Sequence, residues 1–100
     1  MTVTTPASPV LVSRYNTAGL ASGVQISSAG NTAYVADGEN GLVLIDLTTP
    51  ATPSLIGSYD TAGNARGVQI SSDGNTAYVA DWTNGLVLID ITNPAAPFEK

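Results

Sequence analysis

A 44-residue repeat constrains the fold of this chain more than any other feature. Prolines recur at that interval, as Pro6, Pro50 and Pro94. When residues 10–53 are aligned with residues 54–97, 31 of the 44 positions are identical. The chain therefore contains two copies of one supersecondary unit, and such a unit buries its apolar surface against neighbouring units.

Turn signals divide each unit into four short segments that are typical of β-strands. In the second unit these segments are residues 54–60, 67–71, 76–81 and 85–92. Clusters of Gly, Asn, Asp and Pro separate them, and no helical period of apolar residues is present. A repeat in the low forties with four strands is typical of a β-propeller blade.

The third strand of each unit is apolar on both of its faces. Residues 42–45 and 86–89 both read Leu-Val-Leu-Ile, whereas a strand with one solvated face alternates between apolar and polar residues. Each sheet must therefore be covered on two sides, as a blade is between two other blades. Only 11% of the residues are charged, against about 25% in an average soluble domain, so much of the surface is expected to contact other protein.

Residues 67–97, GVQISSDGNTAYVADWTNGLVLIDITNPAAP, and their counterpart in the first unit resemble the LVIVD repeat. The family is named for a strand that here reads LVLID. The resemblance implies a β-propeller fold and, for natural members, secretion or a position at the cell surface, but no biochemical activity. It also implies a strand order from the axis outward: GVQIS, then TAYVAD, then GLVLIDIT, with the PSLIGSY segment outermost.

The predicted fold is thus an all-β propeller with four-stranded antiparallel blades, two per chain. We divide the chain into a partial repeat end (1–9), two blade units (10–53 and 54–97) and a tail (98–100). In this division the chain begins with an outer strand, and the second blade lacks an outer strand of its own.

Two blades do not close a propeller, which typically has about four to eight. A lone pair would expose apolar faces and one unpaired strand edge. We therefore expect head-to-tail association of the chain with itself, as a tetramer with eight blades or a trimer with six, the tetramer being favoured. The N-terminal strand of one copy would complete the last blade of another, and the residues predicted to exchange are Val10, Leu11, Val12 and Tyr15.

Two other architectures remain open at this point. The two sheets could pack face to face as a monomeric sandwich, or the chain could be an excerpt from a longer array. The high identity of the two units, with ends close to repeat boundaries, also fits an engineered or excised segment.

Composition argues against most other function classes. The chain has no Cys and no His, so we expect no disulfide, no thiolate or imidazole metal site and no Ser–His or Cys–His catalytic pair. We accordingly predict no enzyme activity and no cofactor. A net charge of −5 with three basic residues argues against nucleic-acid and membrane partners. No signal peptide is evident, and the compartment is left undetermined.

The carboxylates repeated in both units are expected to serve the fold. Asp37 and Asp81 follow the second strand, where short Asp side chains commonly accept hydrogen bonds from loop groups. Asp46 and Asp90 lie within the apolar strands and are expected to bind a neighbouring loop.

Positions at which the two units differ are the better candidates for a specific site. Trp82 and Arg66 are residue types enriched at binding hot spots, and Arg66 could bind an anion. The loops that carry them lie on one propeller face, where the channel opens. The predicted ligand or partner face, for an anion or a protein, consists of Asn64, Arg66, Trp82, Thr83, Ser22 and Glu39.

Overall fold

The computed structural model describes residues 15–17, 19–49 and 51–100. These residues form two four-stranded sheets in which every neighbouring pair of strands is antiparallel. The first sheet has the order β1-β2-β3-β4 and the second β5-β6-β7-β8, so each sheet follows the chain. The strands are β1 (Gly23–Ile26), β2 (Thr32–Ala36), β3 (Leu42–Asp46), β4 (Ser54–Tyr59), β5 (Gly67–Ile70), β6 (Thr76–Ala80), β7 (Leu86–Asp90) and β8 (Phe98–Glu99).

This architecture confirms the all-β, four-stranded antiparallel units predicted from the repeat. One short 3-10 helix, Trp82–Asn84, interrupts the loop between β6 and β7. Within the described residues, no helix is long and apolar enough to cross a membrane.

The tight turns between the first two strands of each sheet depend on glycine. Gly30 and Gly74 have φ values of 80° and 77°, in the left-handed region that side chains with a Cβ disfavour. Their backbone N–H groups donate to the carbonyls of Ser27 and Ser71 at 2.8 and 2.9 Å. The repeated Ser-x-x-Gly-Asn pattern thus closes both hairpins in the same way.

The core lies between the two sheets, where the third strand of the first sheet supplies its largest buried side chains. Leu42 and Leu44 are fully buried there. They belong to one cluster with Val79, Val87 and Ile89 of the second sheet. A second cluster, on the opposite face of the first sheet, consists of Ala33, Val35, Val43 and Ile45.

The two sheets approach each other most closely along β5, which lies against β1 and β2. There the side-chain amide of Gln69 donates to the side-chain oxygen of Gln25 at 3.1 Å, joining two residues that are 44 positions apart. Farther out, the Tyr59 hydroxyl of β4 donates to the Glu99 carboxylate of β8 at 3.2 Å, so the sheets pack side by side along their length, which fits the arrangement of neighbouring propeller blades.

The expectation that the second blade has no outer strand of its own is wrong. Strand β8 pairs with β7, with Phe98 opposite Asp90 and Glu99 opposite Ile89, and the N–H of Lys100 donates to the carbonyl of Leu88 at 2.9 Å. Residues 98–100 therefore lie along the outer edge of β7. Their sequence gave no signal because Phe-Glu-Lys differs from the Ser-Leu-Ile of β4, whereas backbone pairing needs only the register.

Strand β8 covers only part of the outer edge of β7. In the first sheet, β4 continues along β3 as far as Tyr59, which lies opposite Leu42. Among the described residues, Leu86 and Val87 have no strand partner on the side away from β6. Of the predicted exchange residues, Val10, Leu11 and Val12 lie outside the described residues, and Tyr15 lies in no strand and is 40% exposed.

Candidate functional site

A buried carboxylate fixes the loop that leads from the first blade into the second. Asp81 is fully buried. The Thr61 hydroxyl donates to its Oδ1 at 2.5 Å, and the Asn84 amide donates to its Oδ2 at 2.9 Å. The same amide reaches the backbone carbonyl of Thr61 at 3.0 Å. We call these three residues the Asp81 clamp, and it ties the end of an outer strand to the next blade.

The first repeat contains the same arrangement. The Thr17 hydroxyl donates to Oδ1 of Asp37 at 2.6 Å, and the Asn40 amide donates to Oδ2 at 3.0 Å. A Cβ added at Gly63 would lie 2.6 Å from Oδ2 of Asp81, which explains a glycine two residues after the clamp threonine. These hydrogen bonds support the structural role predicted for the repeated carboxylates. Within the described ranges, no group of three or more His, Cys, Asp or Glu residues could hold a metal ion.

The second repeated pair of carboxylates stabilises the turn after the third strand. Asp46 accepts hydrogen bonds from the hydroxyl and the N–H of Thr48, at 2.6 and 2.8 Å, and these bonds lower the pKa of the Asp46 carboxyl. The N–H and hydroxyl of Thr92 lower the pKa of Asp90 in the same way. Both carboxylates thus act within their own turn.

Arg66 and Trp82 of the predicted ligand face do come together. The Arg66 guanidinium carbon lies 4.4 Å from the centre of the Trp82 ring, within the range of a cation–π interaction. Trp82 is 63% exposed and has a φ of 49°, in the left-handed region. Its counterpart in the first repeat is Gly38, with a φ of 60°, so a large side chain occupies a backbone conformation that glycine adopts without strain.

The other residues of the predicted face are more dispersed. Asn64 and Glu39 line a cavity of about 360 Å³ together with Gly19, Leu20, Gly38 and Asn40. The Ser22 hydroxyl donates to the carbonyl of Leu20 at 3.1 Å, and Thr83 is exposed within the 3-10 helix. The structure therefore divides the six residues into three groups. Arg66 and Trp82 contact each other, Asn64 and Glu39 line a cavity, and Ser22 and Thr83 are exposed.

The most contiguous candidate surface is the outward face of the second sheet, which we call the β6–β7 face. It carries Tyr78, Ala80, Leu86 and Leu88, whose counterparts in the first sheet are buried between the blades. The exposed fraction is 64% for Leu86 and 0% for Leu42, its counterpart. The same apolar side chain is thus covered in one repeat and uncovered in the other.

The outward face of the first sheet shows the complementary pattern along its first strand. Val24 is 61% exposed, whereas Val68, its counterpart, is 8% exposed against the first blade. Ile26 and Leu55 are exposed on the same side. Exposed apolar surface therefore occurs on the two faces that lack a neighbouring blade.

A cavity of about 610 Å³ lies along the open edge of β7. It occupies the place that the second half of β4 takes beside β3 in the first sheet. Sequence reasoning predicted an open edge but not the short strand that borders it. The lining residues are Thr61, Ala62, Asn84, Leu86, Val87, Leu88, Glu99 and Lys100.

The two packed four-stranded sheets and the clamp that each repeat contains define a tandem-repeat protein of blade-like units. The LVIVD repeat family matches the chain twice, over residues 18–61 and 62–100. The chain therefore belongs to the LVIVD repeat family, as its sequence motifs predicted. No curated protein and no solved structure matches the chain.

The Asp81 clamp generates a stability prediction. In Asp81→Asn, one side-chain oxygen becomes an amide that can no longer accept a hydrogen bond from Asn84. We expect the free energy of unfolding to fall by about 1–3 kcal/mol, the cost of unsatisfied buried polar groups. Urea unfolding at a fixed chain concentration measures it.

The matched control is Glu39→Gln, which removes the same charge at an exposed position. We expect this control to unfold like the parent chain. Equal stability of the two variants would show that the clamp contributes nothing to the fold.

Proposed function

We propose that this chain is a structural, self-assembling module that closes head to tail into a symmetric homo-oligomeric β-propeller. The ring has eight blades as a tetramer or six as a trimer, and the tetramer is favoured. The observation that carries the proposal is the contrast between Leu42, fully buried between the blades, and Leu86, its 64% exposed counterpart.

The repeat itself supplies a partner for the exposed face. Inside the chain, Tyr34, Ala36, Leu42 and Leu44 lie in one cluster with residues of the second blade. The β6–β7 face carries the same four residue types. The first sheet carries Ala33, Val35, Val43 and Ile45, the same types as the residues of the second sheet that supply the other half of that cluster. A second copy can therefore repeat the contact that the chain already makes within itself.

Burial of the exposed apolar side chains on these two faces, such as Leu86, Val24 and Leu55, is the driving force for association. Each Leu, Ile or Val that moves from water into a packed interface contributes about 1.5–3 kcal/mol. The two faces are different surfaces, so their contact is heterologous, and contacts of this kind form closed rings when the rotation per subunit allows it. In the proposed ring, every blade is related to the next by the same rotation.

Strand exchange completes the last blade in this assembly. By the 44-residue offset, Tyr15 corresponds to Tyr59, which pairs with the counterpart of Leu86. The N-terminal strand of a second copy would therefore run along the cavity beside β7 and take the register of β4. Its first residues correspond to residues 98–100, so β8 would give way to Val10, Leu11 and Val12.

The role we propose is non-catalytic and needs no cofactor, nucleic acid or membrane. The carboxylates of the clamps and turns accept hydrogen bonds from the residues around them. The basic residues of the described chain are Arg66, which lies over Trp82, and Lys100, at the end of β8.

A second candidate function is the binding of an anion or a protein on the loop face. The observation that favours it is the exposed Arg66–Trp82 pair, since a ring would present several copies of it near the channel mouth. Arg66→Ser gives position 66 the residue of the first repeat, and anion titration of that variant separates a ligand site from an assembly role.

Solution mass tests the ring. Light scattering of the purified chain at micromolar concentration is expected to give three or four times the chain mass of 10.1 kDa. Leu86→Asp should reduce the mass to that of one folded chain, because it places a charge in the proposed contact. Thr49→Asp adds the same charge to an exposed turn and should leave the ring intact. A parent chain with the mass of a monomer would contradict the proposal.

Strand exchange is tested by a disulfide in a chain that has no Cys of its own. Arg14 corresponds to Ser58, which lies opposite Val43, the counterpart of Val87. The variant with Arg14→Cys and Val87→Cys should form covalent multimers under mild oxidation, visible on a non-reducing gel.

Arg14→Cys with Leu88→Cys is the register control, because adjacent strand positions face opposite sides of the sheet. It should cross-link much more slowly. Equal rates for the two variants, or disulfides only within single chains, would rule out the proposed exchange.

A further inference from the structure

Within the part of the chain that the structure describes, a reciprocal pair of backbone hydrogen bonds joins a loop of the first blade to the second blade. The N–H of Gly38 donates to the carbonyl of Ala65 at 3.0 Å, and the N–H of Ala65 donates to the carbonyl of Gly38 at 2.8 Å. Gly38 lies in the loop between β2 and β3, and Ala65 lies just before β5. We call this pair the loop bridge, and it crosses from the first blade to the second.

One repeat further along the chain, the loop of Trp82 has the same backbone hydrogen bonds as the loop of Gly38. The carbonyls of Gly38 and Trp82 each accept the N–H of the glycine three residues later, at 3.1 Å in both loops. The N–H of Asp37 donates to the carbonyl of Gly41 at 2.8 Å, and the corresponding distance in the second loop is also 2.8 Å. Trp82 therefore presents its backbone in the conformation that Gly38 uses for the bridge.

The other half of the bridge recurs one repeat back, at Ala21. The residue after each alanine makes the same backbone hydrogen bond to the second strand of its sheet. The N–H of Ser22 donates to the carbonyl of Ala36, and the N–H of Arg66 donates to the carbonyl of Ala80, both at 2.8 Å. Ala65 is fully buried by the bridge, whereas Ala21 is exposed. Among the described residues, neither the N–H of Trp82 nor that of Ala21 has a backbone partner.

The backbone conformation of Trp82 is also unusual for a residue with a large side chain. A φ of 49° is disfavoured for a residue with a large side chain. The stack with Arg66 orients the indole, but it requires no reciprocal backbone pair. A partner that takes both the N–H and the carbonyl of residue 82 gives this conformation a use.

We infer that Trp82 of one copy and Ala21 of the next form a loop bridge between subunits, so that the Trp82 loop is an assembly joint rather than a ligand site. The partner is a second copy of this chain, and the inference rests on the proposed function. At the joint, the N–H of Trp82 donates to the carbonyl of Ala21, and the N–H of Ala21 donates to the carbonyl of Trp82.

Two substitutions at position 82 distinguish the backbone from the side chain. Trp82→Gly removes the indole but favours the left-handed conformation, so the concentration for half-assembly should stay equal to that of the parent or fall. Trp82→Val keeps an apolar side chain but disfavours positive φ, so that concentration should rise about tenfold, as the loss of one hydrogen bond implies. Thr49→Val is the matched control, because it places the same side chain at an exposed turn outside the bridge, and it should behave like the parent.

Amide hydrogen exchange of the unmodified chain provides a test that does not depend on any variant. In the assembled protein, the amides of Ala21 and Trp82 should be protected to within about tenfold of those of Gly38 and Ala65, their counterparts inside the chain. Dilution to single chains should remove the protection of Ala21 and Trp82 and leave that of Gly38 and Ala65.

The outcomes separate the bridge from the ring. A parent chain that is monomeric overturns both. An oligomer in which the amides of Ala21 and Trp82 exchange freely overturns the bridge and leaves the ring intact. Loss of assembly in Trp82→Gly would also overturn the bridge, because it would assign the contact to the indole.

Discussion

The structure depends on covering both faces of every sheet. The third strand of each repeat is apolar on both sides, so a sheet that contains it is stable only between two other layers. Within the chain, each sheet covers one face of the other, and Leu42 and Leu44 disappear from solvent as a result. The β6–β7 face carries the same residue types as the covered face of the first sheet, but Leu86 and Tyr78 are exposed there, and this asymmetry is the basis of the assembly that we propose.

The polar interactions add direction to this non-directional force. The Asp81 clamp joins the outer strand β4 to the loop of the following blade through one carboxylate, one hydroxyl and one amide, and Thr17, Asp37 and Asn40 repeat these hydrogen bonds in the first unit. The loop bridge then sets the position of that blade against its neighbour. Apolar packing alone would tolerate several relative positions of two smooth sheets, whereas these contacts define one.

The strand pattern and the roles of the repeated carboxylates could be predicted from the sequence because both recur with the repeat. A residue such as Asp81, present in each unit beside a loop, has a local partner that its own repeat supplies. Strand β8 could not be predicted in this way, because its pairing with Ile89 and Asp90 uses backbone groups that every residue has.

The loop bridge was missed for a related reason. Gly38 and Ala65 are not related by the repeat offset, and each is a small residue with no chemistry of its own. Their pairing follows from where two loops of different blades meet, which is a tertiary property. In the sequence, Gly38 and Trp82 differ in their side chains, and the left-handed backbone conformation that they share is visible only in the structure.

The hydrogen bond between Gln69 and Gln25 has a consequence for the ring that we propose. This hydrogen bond has a direction, since the amide of the second repeat donates and the side-chain oxygen of the first repeat accepts. A single pair leaves an amide unused at one end and an oxygen unused at the other. Only a circular series of such bonds, all running the same way around, has no first and no last glutamine. In the ring that we propose, such a series would make the two directions around the central channel chemically distinct.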